Sequence, residues 1–169
     1  MKKILIIAPH ADDEILGCGG TISKYVEKSY KVMVLIMTNA NVGSPKIFSK
    51  NLIKQIRKEC LEANNILGVQ FVKFYDFPAL KLNISHISEI ASVINKEILK
   101  FRPSKVFIPN IDDIHYDHKI IHEASLVAVR PINTIRINEV LSYETLSETE
   151  WGNIQFNPNM YELLIKIGS

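Results

Sequence analysis

Apolar and polar positions run along the chain in two periods, and the switches between them outline its elements. The runs KILIIA (3–8), KVMVLIMT (31–38), VQFVKFY (69–75), SKVFIPN (104–110) and INEVLSYE (137–144) are rich in β-branched residues, and several are apolar on both faces. Such runs predict strands of a parallel sheet covered by helices on each side. Between them, 13–29, 46–67, 84–101 and 118–130 carry apolar residues at helical spacing. Gly68 follows the second helix as a C-terminal cap, and Pro103 ends the third. A last apolar stretch, MYELLIKI (160–167), predicts a sixth strand.

This alternation predicts an α/β fold, a doubly wound and mostly parallel sheet with helices on both faces, because parallel strands need crossovers of this length and hand. No repeat, low-complexity tract or linker divides the 169 residues, so one domain over 1–169 is expected. With the strand order 3-2-1-4-5, the first and fourth strands are neighbours and the winding reverses between them. A crevice then opens at their carboxyl ends, where sheets of this kind bind ligands. The irregular stretches 39–47, 76–83 and 110–117 each follow a strand end.

Composition narrows the partners. Hydrophobic residues make 47% and charged residues 22%, which suits a globular chain and neither a disordered nor a fibrous one. Twenty basic and eighteen acidic residues are spread without a basic block, so nucleic acid is not an expected partner. Cys18 and Cys60 form no C-x-x-C pair and no disulfide framework; they fit a reducing compartment as small buried hydrophobes. The apolar start is shorter than the ~7–15 residues of a signal peptide and runs into His10 and three acids, so a cytoplasmic location is expected. No segment approaches the ~18 apolar residues of a membrane span, and monomer and homo-oligomer both stay open.

Two clusters then carry the chemistry. His10, Asp12, Asp13 and Glu14 follow the first strand; Asp112, Asp113, His115, Asp117 and His118 follow the fourth. Distant in sequence, they become neighbours in the doubly wound order. Zinc takes imidazole nitrogen and carboxylate oxygen, with three protein ligands and one open position in a catalytic site. His10 and Asp13 can supply two of these from one turn, and a histidine of HYDH the third. Asp12 remains as a candidate general base. Any one acid of the first cluster alone would be read as a helix cap, but capping leaves His10 unexplained.

APHADDEILGCGGTI resembles the PHPDDE…GGT signature of the PIG-L-type (LmbE-like) zinc deacetylases, which include GlcNAc-phosphatidylinositol de-N-acetylases, and HYDHK resembles their HPDH motif. The likeness continues through TNANVGS, RKECLEANNILGV and YETLSETEWGNIQFNPNMYELLI. It implies a Rossmann-like fold and metal-dependent removal of an N-acetyl group from an amino sugar or glycoconjugate. His10, Asp13 and His118 correspond to zinc ligands, and Fe(II) or another divalent cation satisfies the same set. By the same resemblance Asp12 is the general base, His115 stabilises the oxyanion or assists as an acid, Asp117 orients it, and Arg57 meets the substrate. Three departures stand out: Ala11 replaces the usual proline, Ala79 stands where an acid is common, and the chain stops soon after FNPN.

The remaining candidates take structural readings. His122 shares a helix face with His118, but a fourth side chain would close the open metal position. His86 is expected at the surface where a helix starts, and Asp112 and Asp113 are equally a solvated loop or carboxylates behind the ligands. GCGG (17–20) lies too far past the strand for a dinucleotide fingerprint and is read as close helix packing. Two rival functions remain: an Fe(II) oxygenase with a two-histidine, one-carboxylate triad, whose common scaffold is an all-β double-stranded helix, and a non-catalytic carbohydrate-binding relic.

Overall fold

In the computed structural model, described here over residues 2–84, 87–130, 137–146, 148–152 and 165–166, strands and helices alternate as the pattern predicts. The strands are β1 (Lys3–Ala8), β2 (Lys31–Asn39), β3 (Phe71–Pro78), β4 (Lys105–Pro109), β5 (Glu139–Tyr143) and β6 (Ile165–Lys166). The helices are α1 (Asp13–Glu27), a short α2 (Ala40–Gly43), α3 (Lys50–Ile66), α4 (Ile87–Phe101) and α5 (Tyr116–Val129). The sheet order is β3-β2-β1-β4-β5-β6. β1 to β5 pair in parallel, and β6 joins β5 antiparallel, with Ile165 opposite Ser142. The rest of the predicted sixth strand, His86 and FNPN lie outside the described residues.

The strand period of two divides the core between the faces. Ile4, Ile6, Val32, Val34 and Phe107 point to one face, with Cys18 and Ile22 of α1 and Cys60 of α3. Leu5, Ile7, Met33, Leu35, Val106 and Ile108 point to the other, with Ile90, Ile94 and Ile98 of α4 and Ile121 and Ala124 of α5. Both faces are covered, and the winding direction reverses between β1 and β4. The parallel α/β architecture is not the all-β scaffold of the oxygenase rival.

Local chemistry sets the helix limits. α3 begins at Lys50 rather than 46 because the Ser49 hydroxyl accepts the Leu52 N–H at 3.2 Å, an N-cap that pattern reading passes over. Gly68 follows its last turn with φ +79°, a left-handed stop that glycine takes without strain. α5 begins two residues early, at Tyr116, because the His115 ring serves as its cap. Of the three glycines in α1, Gly17 needs its lack of a side chain: a Cβ there would stand 2.3 Å from the Tyr143 ring. Thus α1 lies close against β5, beside the crevice.

Candidate active site

β1 ends at Ala8, and the chain turns through Pro9 and His10 into α1. The turn is closed by the His10 N–H, which donates to Asp13 Oδ2 at 2.8 Å, and pinned from β2 by the Thr38 hydroxyl on the Pro9 carbonyl at 2.8 Å. After β4, Asn110 accepts the Asp112 N–H at 3.0 Å and Asp113 accepts the His115 N–H at 2.9 Å, two short side-chain turns in succession. They deliver His115 and His118 beside His10, as the strand order requires.

Three ligand atoms then converge. His10 Nδ1 lies 3.3 Å from Asp13 Oδ2 and 3.3 Å from His118 Nε2, and Asp13 Oδ2 lies 3.2 Å from His118 Nε2. Ligand atoms held ~2.0–2.1 Å from a tetrahedral cation stand about 3.3 Å from one another. The triangle therefore fits zinc in size as well as in donor type. Each imidazole also gives its other nitrogen to a carboxylate: His118 Nδ1–H to Asp113 at 2.8 Å, and His10 Nε2–H to Asp117 at 3.2 Å. Such partners fix the ring and turn its free nitrogen inward.

Asp113 is fully buried and also accepts the Thr149 hydroxyl at 3.1 Å, so it belongs behind the cage and not to a solvated loop. Asp112 stays half-buried. The Asp117 carboxylate reaches His10 and the Leu80 N–H, at 2.7 Å, and not His115. It is the Asp117 backbone N–H that meets His115, donating to Nδ1 at 3.2 Å. The orienting contact expected of the Asp117 side chain is thus made by its backbone, since His115 caps the helix that Asp117 opens.

His10, His115 and His118 also lie within 4.8 Å of one another, a second set of metal-ligating type. Since Nδ1 of His115 accepts a hydrogen bond, the neutral ring carries its proton on Nε2, which favours the carboxylate of Asp13 as third ligand. His122 stays outside the cage, its Nδ1–H donating to the Pro109 carbonyl at 2.8 Å.

Charge in the cage follows its packing. Burial disfavours the His10 cation, but the bonds to Asp117 and Asp13 outweigh it and raise the ring to about 10. Burial opposes charge on His118 too, and Asp113 and Asp13 raise it to about 9. Against its own burial, Asp13 is held well below the usual carboxylate range by the two rings. Burial lowers His115, helped by the neighbouring rings. Asp12 occupies the N-cap position of α1, yet its side chain makes no capping bond. Burial and the charge of Asp13 raise its carboxyl.

The cage opens into a cavity of about 310 Å³. Its lining combines the polar His10, Asp12, His115, Thr145 and Glu148 with the apolar Leu16, Ile53, Ile56, Phe74 and Leu80. Arg57 lines it as well, bound to Asp76 Oδ1 at 2.5 Å and to the Tyr75 carbonyl at 3.2 Å, with its guanidinium 5.0 Å from the Phe74 ring centre. Ala79 is buried in this wall, and Leu80 beside it holds φ +65°, a strained backbone latched to Asp117. Thr145, Glu148 and Thr149 lie in the YETLSETEW stretch that carries the family likeness, but neither it nor the sequence around Leu80 assigned them a task. For Asp113 the sequence left a solvated loop and a carboxylate behind the ligands equally open, and its burial against His118 decides for the second.

Comparison with known proteins adds the chain's relatives. The profile of PIG-L, described as GlcNAc-PI de-N-acetylase, matches residues 5–129. Uncharacterized deacetylase YaiS of Escherichia coli is 32% identical over 170 residues, covering 95% of this chain and 81% of its own. Diacetylchitobiose deacetylase of Thermococcus kodakarensis is 32% identical over 114 residues, 65% of this chain but only 41% of that enzyme. The crystal structure of the conserved protein TT1542 from Thermus thermophilus superposes with a TM-score of 0.73 at 27% identity, over 94% of this chain and 70% of that one. Fold, site and relatives together define the class, that of the N-deacetylases. The chain belongs to the PIG-L family.

Proposed function

We propose that this protein is a zinc-dependent hydrolase that removes the N-acetyl group from a GlcNAc-type amino sugar. His10, Asp13 and His118 hold the cation, Asp12 is the general base, His115 and Asp117 complete the catalytic set, and Arg57 meets the substrate. The triangle of ligand atoms at 3.2–3.3 Å, with the uncommitted Asp12 beside it, carries this reading. The family description and the diacetylchitobiose relative support the sugar class. Fe(II) suits the same donors, and elemental analysis distinguishes the two.

When bound, the cation acts as a Lewis acid that polarises the amide carbonyl and lowers the pKa of a nearby water toward ~7. Asp12 takes the proton of the attacking water. Its carboxyl, raised by burial and by Asp13, is a stronger base for that proton, which it then passes to the more basic departing nitrogen. As the water oxygen bonds to the carbonyl carbon, charge gathers on the carbonyl oxygen, and His115 donates to it from Nε2–H. The C–N bond then breaks, leaving acetate and a free amine. Asp117 holds His10 in orientation and latches Leu80 at the cavity edge. Arg57, fixed by Asp76, presents its remaining N–H groups to the substrate.

The test is acetate release from N-acetylated sugars, sugar nucleotides and GlcNAc conjugates by metal-loaded protein. Release from at least one is expected. No release from any, together with no bound metal by elemental analysis, overturns the proposal.

A further inference from the structure

Glu148 and Thr145 line the cavity on the segment after β5, and the catalytic set leaves both without a task. The segment is held firmly. The Glu148 N–H donates to the Thr145 carbonyl at 3.1 Å, and the Glu148 carbonyl accepts the Ile114 N–H at 3.4 Å. Thr149 bonds the Thr145 N–H at 2.9 Å and Asp113 at 3.1 Å, tying the segment to the support of His118. Gly152 lies so close to the Asp112 carbonyl that a Cβ would stand 1.7 Å from it.

The two side chains contrast with this backbone. Thr145 is 1% exposed, and its hydroxyl has no hydrogen-bond partner among the described residues. The Glu148 carboxylate likewise forms no hydrogen bond or ion pair among them. A buried hydroxyl left unpaired is costly, and burial with the charges of Asp113 and Asp13 disfavours the Glu148 carboxylate more than His118 and His10 favour it. Both groups are satisfied by a ligand that brings hydroxyls, which donate to Glu148 and exchange donor and acceptor with Thr145. The side chains of Leu16, Ile53, Ile56 and Leu80, which line the same cavity, offer no such partners, and Arg57 offers donors but no acceptor.

We propose that Thr145 and Glu148 form a hydroxyl-binding subsite that selects a polyhydroxylated ring over an apolar amide. The proposal rests on the amino-sugar reading of the same cavity. Trp151, the single tryptophan, lies three residues from Glu148 and is 72% exposed, so its fluorescence reports binding without turnover. Metal-free wild type, Glu148→Ala, Glu148→Gln and Thr145→Val are titrated with N-acetylglucosamine and with N-cyclohexylacetamide, which lacks ring hydroxyls. Losing the charged acceptor in Glu148→Ala weakens sugar binding about tenfold or more, with a smaller loss in Glu148→Gln and in Thr145→Val. The hydroxyl-free amide binds all four alike, and melting temperature and the capacity to take up metal on reloading hold. Equal sugar binding by wild type and variants, or no response in wild type, overturns the subsite. Acetate assays separate the two claims: release by wild type with an unchanged KM in Glu148→Ala sinks the subsite alone. Sugar binding lost in Glu148→Ala while wild type releases no acetate sinks the activity alone.

Discussion

Four aspartates within one cage have separate tasks, and each is set by what its carboxylate touches. Asp13 faces two imidazoles, Asp113 and Asp117 each stand behind one, and Asp12 touches neither ring nor cap. Removing them should therefore fail in different ways. Asp12→Ala is expected to keep its metal and lose 10²–10⁴-fold in kcat, a rough range for a general base, whereas His118→Ala loses the metal itself. Metal content beside acetate release separates the two, and wild-type turnover in Asp12→Ala refutes the base. Asp113→Ala is expected to weaken metal affinity roughly 10–100-fold while kcat at saturating metal changes less, as read by competition with a chelator. Residue spacing alone could mark His10 and Asp13 as a pair. It could not tell which carboxylate supports which ring, because Asp113 and Asp117 both lie within a few residues of His115 and His118.

Elements place these residues by how closely they approach. α1 carries Asp12 and Asp13 at its start, and four residues on, Gly17 lets it rest against the Tyr143 ring of β5. Gly17→Ala is expected to destabilise the fold by ~1–3 kcal/mol, the usual cost of overpacking, read as a shifted urea midpoint with an unchanged slope. A midpoint equal to wild type would show that α1 can move away freely. The glycine run was legible in the sequence as a packing device, but which glycine does the packing depended on Tyr143, 126 positions away. The Leu80 latch was not legible, since a leucine at φ +65° is held there by Asp117 and not by any local preference.

At the scale of the whole molecule, the cage makes stability and metal binding depend on pH. His10 and His118 have folded-state values near 10 and 9, above the 6.5 of a free ring. Their stabilising contribution is therefore complete below about pH 6.5 and is lost as the pH climbs through 9 and 10. Asp13 and Asp117 are lowered, so their contribution is lost on the acid side. Melting temperatures of chelator-treated protein should fall from pH 7 to 10, and zinc-loaded protein should fall less, since the cation replaces the protons. Zinc affinity should rise up to about tenfold per pH unit for each proton displaced. A metal-free melting temperature that is flat over this range would contradict the raised rings. By itself the sequence determined the alternating α/β elements, the split of the core between two faces and the two clusters at strand ends, because these follow from periods of 2 and 3.6 and from residue type. Only the tertiary structure decided which atoms form the triangle, that Asp113 stands behind His118, and that Thr145 and Glu148 face the same cavity. Those depend on angles and distances between β1, β4 and β5, which residues far apart in the chain set jointly through packing.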